Sequence, residues 1–162
     1  MNDAHLHLLF NHLPIIIPIV GLLVLFVNSI IRSEIVQRVG YLILILGAIA
    51  TIPAFFTGEG AEEIVENIDG ITHDIIHEHE EVAETFAILS YILGGLSLVG
   101  LWANLKRKSF SLWLGYGIFA FGIVVLVFAQ QTGTTGGEIR HSEIRSNSNL
   151  SNHNSSDENS EH

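Results

Sequence analysis

The chain has 162 residues, enough for one domain. It contains no cysteine, which excludes disulfides, thiolate metal sites and cysteine-held iron–sulfur clusters. Of its residues 48% are hydrophobic, and the net charge of −10 is unevenly placed: five of the seven basic residues, Arg32, Arg38, Lys106, Arg107 and Lys108, sit in two short loops that hold one acid, Glu34, and no histidine. Such segregation calls for a barrier between two compartments, which a soluble domain lacks. Nucleic acid is not an expected partner; a lipid bilayer is.

Residues 1–12 carry no Lys or Arg, so a secretory signal peptide is not expected there. The first uncharged block, about 13–31, is long enough to cross a hydrocarbon core of roughly 30 Å. Pro14 suits its first turn and Pro18 is placed to kink it. The second block, about 39–56, holds Gly47, Ala48 and Ala50, small residues that let helices approach closely, and it is expected to stop at Thr57-Gly58. Residues 59–81 form an acidic amphipathic stretch, with a break at Gly70, expected to lie over the mouth of a bundle. The third block, about 82–105, has Glu84 in its first turn and a seam of Gly94, Gly95, Ser97 and Gly100. Trp102 and Trp113 flank the second basic loop as interfacial aromatics do. The fourth block, about 111–129, contains Gly115, Gly117 and Gly122. A glycine-punctuated turn region follows, in which Gly136-Gly137 is expected to form a tight turn using positive φ. The polar, low-complexity tail 146–162 is expected to be disordered.

This pattern predicts an all-α fold: a four-helix transmembrane bundle formed by residues 1–145, with an amphipathic helical hairpin at one end. Four spans put both termini and the 59–81 segment on one side. The positive-inside rule places the basic loops in the cytoplasm, so that side is the periplasm if the membrane is a bacterial inner membrane.

The histidines gather at this outer end. On a helical wheel Ile71, Ile75, Val82 and Phe86 form one stripe, and His79 lies on it. His79 is therefore expected to face inward. His73, His77, Glu80 and Glu84 form another column and are expected to face water, with spacing that suits a divalent metal ion. Connectivity can bring His7, His12, His79 and His141 to a single rim. Neutral imidazole suits transition metals and haem iron, and bundles place such ligands on facing helices. His12 and His79 are the first candidates for cofactor ligands, and His7 and His141 the second. The bland alternatives are solvated faces for His73 and His77 and hydrogen bonding to the Thr/Gly-rich turns for the others. No HExxH or CxxCH motif is present, and no Ser-His-Asp arrangement can be phased.

His7, His12 and Pro14 entering the first helix, Thr57-Gly58 near the second, a histidine opening the third, and Gly136-Gly137 with His141 after the fourth give the chain a family likeness. Over about residues 5–145 it resembles the small bacterial membrane proteins grouped as domain of unknown function 2231. It departs from them at Leu13, where an aromatic is common, at Ser142, where a glycine is frequent, and in its longer acidic loop. The resemblance implies a four-helix membrane protein with outward histidines. It also implies redox or haem work beside a redox partner protein. The leading expectation is a haem b- or metal-binding electron-transfer subunit. The alternatives are a divalent-metal-binding or sensing membrane protein, or a structural subunit without cofactor.

Overall fold

Long apolar blocks become long helices. The computed structural model describes residues 2–66, 71–141 and 145, and every regular element among them is helical. These are α1 (Asp3–Phe10), α2 (Leu13–Ile31), α3 (Glu34–Val65), α4 (His73–Leu105) and α5 (Ser111–Arg140). The tail 146–162 and the expected break at Gly70 lie outside the described residues.

The starts and stops have local causes. The Asn2 side chain accepts the His5 N–H at 3.0 Å and caps α1. Pro14 opens α2, where its missing N–H costs nothing. At the other end of α2, Arg32 adopts a left-handed conformation with φ 56°. The Asn28 side chain holds that turn by accepting the Ser33 N–H at 3.0 Å. Ser33 then caps α3.

Two helices run further than the sequence suggests. The Thr57 hydroxyl donates back to the Pro53 carbonyl at 2.7 Å, and α3 continues through Gly58 and Gly60 to Val65. The acidic segment is thus built from the end of α3 and the start of α4 rather than from separate elements. Likewise Gly136-Gly137 lies inside α5, with no positive φ there. The hydroxyls of Thr132, Thr134 and Thr135 bond to carbonyls one turn back, at 2.9, 3.0 and 3.2 Å, so these residues are satisfied within a helix. Gly136 is needed for another reason: a Cβ there would stand 3.0 Å from Cε1 of His79.

Packing is antiparallel and relies on small residues. Against α3, the α1–α2 rod meets Gly60 with Asp3, Gly47 with Pro18, Leu44 with Gly21 and Gly40 with Leu25. The α3–α4 contact passes through Ala48 against Gly94 and Tyr41 against Gly100. The α2–α5 contact passes through Leu22 against Gly122. Leu22, Leu44, Leu93, Ile118 and Val125 fill the core.

At the end carrying the basic loops the core turns polar. Asn104 donates to the Gln37 side chain at 2.7 Å and accepts from Arg38 at 2.6 Å, while Gln37 donates to the Tyr41 hydroxyl at 2.8 Å. Arg38 also pairs with Glu34 at 3.1 Å. Gly115 leaves room for this chain, since a Cβ there would sit 2.9 Å from the Tyr41 oxygen. Burying polar groups is tolerated here because their main partners are supplied internally.

The outer faces of α2 to α5 are apolar. Leu23, Phe26, Leu46, Phe56, Leu98 and Val127 are among the large side chains left exposed. Each of these helices is long and apolar enough to cross a membrane. With 32 residues, α3 is about 48 Å long, well beyond a hydrocarbon core of roughly 30 Å. Its surplus length carries the acids at 59–66.

Candidate functional site

The acidic end presents two groups of side chains. The first is exposed and lies where α3 ends and α4 begins. His73 Nδ1 stands 3.4 Å from Glu66 Oε1, and ligand atoms of Glu62, Glu66 and His73 all lie within 4.8 Å of one another. The helix spacing explains this: Glu62 and Glu66 are i and i+4 on α3, and the turn brings His73 back beside them. With side-chain exposures of 74% for His73 and 45% for Glu66, an ion can reach the group from solvent. The Glu80 side chain faces Glu62 across the two helices, and hydrogen bonding to it, with its negative charge, pushes the Glu62 carboxyl above its usual range. The neighbouring His73 and His77 oppose that shift.

The expected metal column divides in two. His73 joins the Glu62–Glu66 pair. His77 instead lies 3.7 Å from Glu80 and 3.6 Å from Glu81, its ring stacked 6.4 Å from that of His73. Glu84 is exposed one turn further along α4 and is not in the three-residue group. Sequence reasoning missed Glu62 and Glu66, which sit on the helix before the turn. The i, i+4 carboxylate pair was visible, but not its closeness to a histidine across the turn.

The second group is less exposed. His79 faces inward, as the wheel predicts, and its Nδ1 meets the Thr135 hydroxyl at 2.9 Å. The Thr135 hydroxyl also reaches the Gln131 and Thr132 carbonyls, at 3.2 and 3.3 Å, so this contact fixes the orientation of the ring. His7, on α1, donates from Nδ1 to the Ala54 carbonyl at 3.0 Å, with Thr57 Oγ1 at 3.4 Å. A carbonyl can only accept, so the neutral His7 ring carries its proton on Nδ1 and leaves the lone pair on Nε2. Burial, and then the charge of His7, hold His79 down to about 4. It is neutral at pH 7.

Of the rim histidines it is His7 whose charge acts on His79. His12 is exposed just before α2, with its ring against the side chain of Asn11. His12 sits in the two-residue junction between α1 and α2, and there its ring is on the exposed side. His141 is the exposed residue ending α5. Thr51, Ser90 and Ser97, the polar residues of the apolar blocks, are buried in the packed core, with Thr51 bonded to the Gly47 carbonyl.

The chain matches no family model, no curated protein and no solved structure.

Proposed function

We propose that this is a multi-pass membrane protein that binds a divalent metal ion at its acidic rim, through Glu62, Glu66 and His73. The convergence of these three side chains is the observation that carries the reading. One imidazole nitrogen and two carboxylates suit a borderline ion such as Zn²⁺ or Mn²⁺. The ion would join the ends of α3 and α4, and because Glu62 must give up its proton to ligate, its affinity would rise with pH.

The membrane reading rests on the apolar outer faces of the four long helices. A soluble monomer rarely exposes such area. Trp102, with Lys108 Nζ 5.6 Å from its ring centroid, and the 75%-exposed Trp113 mark one interface. With the basic loops cytoplasmic, the metal rim and both termini face the periplasm of an inner membrane. The chain has no cysteine of its own, so single reporters are clean. Glu63→Cys should react with an impermeant maleimide on intact cells, and Ser109→Cys only after permeabilisation; the reverse pattern would invert the topology.

Metal binding is tested by calorimetry with Zn²⁺ and Mn²⁺ on detergent-purified protein. Glu66→Gln and His73→Asn should each weaken binding about tenfold or more, while His77→Asn should leave it unchanged. Equal loss in all three would point to diffuse acidic attraction and remove the site.

A second reading, favoured by the Nε2 lone pair of His7 and the inward-facing ring of His79, is ligation of haem iron, with redox exchange to a partner protein. Metal-ligating histidines tie back the other ring nitrogen in this way, which fixes tautomer and orientation. Haem would supply one-electron chemistry, and the protein would supply two neutral imidazoles at a partly shielded rim. A reduced-minus-oxidised visible spectrum of the same preparation decides it: the absence of a Soret band removes haem.

A further inference from the structure

At the opposite end, α2 and α5 part to leave a cleft of about 210 Å³. Its walls are apolar, made by Leu25, Phe26 and Phe119, with the two phenyl rings stacked 6.4 Å apart. Its end is polar and cationic: Asn28, Arg32 and Gln37 line it, and no acid does. The Asn28 side-chain oxygen is used by the Ser33 N–H, and its NH2 group has no protein partner among the described residues. Gln37 donates one N–H to Tyr41. Arg32 differs from its neighbour Arg38, which is held by Glu34 and Asn104; Arg32 has no such partner among the described residues and is exposed at the mouth. Its left-handed backbone ends α2 at this point.

We infer that this cleft binds an anionic phospholipid, with the phosphate against Arg32 and Asn28 and the start of one acyl chain lying along the apolar wall of Leu25, Leu112 and the stacked Phe26–Phe119 pair. The polar end and the apolar walls follow each other in the order in which a lipid presents headgroup and chain. Basic pockets between membrane helices recognise anionic headgroups through the same chemistry, and Arg32 is the cation that lines this one. A zwitterionic lipid would leave the arginine less well neutralised. The inference rests on the membrane reading above, but not on the metal rim or on which side is cytoplasmic.

The test is native mass spectrometry of the detergent-purified protein with phosphatidylglycerol and phosphatidylcholine. Phosphatidylglycerol should be retained preferentially. Arg32→Asn should weaken its retention about fivefold, and Arg32→Lys should recover most of it. Asparagine accepts the left-handed backbone at this position, so the α2 end should persist. Ser29→Phe, which fills the cleft and keeps Arg32, should weaken retention as well. Lys106→Gln, off the cleft, should not. Equal retention of the two lipids would overturn the assignment. So would an Arg32→Asn loss no larger than that of Lys106→Gln, or an unaffected Ser29→Phe variant. Inorganic phosphate displacing the lipid at equal concentration would reduce the cleft to a bare anion site. Co-flotation with phosphatidylcholine vesicles checks membrane insertion separately, so failure there is distinguishable from failure of the cleft.

Discussion

Gly94→Ala should destabilise the bundle by about 1–3 kcal/mol, and Gly94→Leu by more, whereas either change at the adjacent Gly95 should stay within about 0.5 kcal/mol. A Cβ at Gly94 would run into the Cβ of Ala48 on α3, and neither atom belongs to a flexible side chain that can swing away. The helices must separate or slide, which opens voids along the α3–α4 contact. Gly95, one residue on, has nothing within 4 Å. The comparison also cancels helix propensity, since both positions gain the same side chain in the same helix. Thermal melting in detergent reads the difference. Equal melting temperatures for the Gly94 and Gly95 variants would mean that α3 and α4 do not meet in this register.

Acidification should cost the protein roughly 3 kcal/mol of stability through His79 alone. The ring is neutral in the fold because burial penalises its charge and His7 adds to the penalty, holding it at about 4 against an ordinary value of 6.5. Above pH 6.5 folded and unfolded chains both carry a neutral ring, and stability from this group does not vary. Between 6.5 and 4 the unfolded chain takes up a proton that the folded chain refuses, so stability falls as pH falls; below about 4 the loss levels off. His79→Gln cannot be protonated and keeps a side chain able to reach Thr135. Its melting temperature should therefore drop less than that of the parent between pH 7 and 4.5. The difference between the two proteins isolates His79 from Glu62, whose raised value acts in the other direction, stability falling as pH rises through it. Parallel pH profiles would show that the ring is hydrated and outside the packed rim.

The inward phase of His79 was readable because it depends only on rotation about one helix axis. An apolar stripe of Val82 and Phe86 fixes that rotation, and any residue on the stripe turns inward with it. The exposed faces of His73 and His77 follow from the same rule. The position of His12 did not follow, because its ring lies before α2, and whether it faces the bundle depends on how α1 joins the helix beyond it.

Composition and charge placement alone determined the four apolar helices, their up-and-down order and the gathering of acids and histidines at one end, because burial in an apolar medium is decided block by block. The tertiary structure decided which side chains meet: Glu62 and Glu66 with His73, His7 with Ala54, and Asn104 with Gln37. Those pairings depend on the axial offset between neighbouring helices, and glycine contacts such as Gly94 on Ala48 and Gly47 on Pro18 set that offset. Helical periodicity records the angle of a residue around its own axis, but the height at which two helices stop sliding is a property of their shared surface.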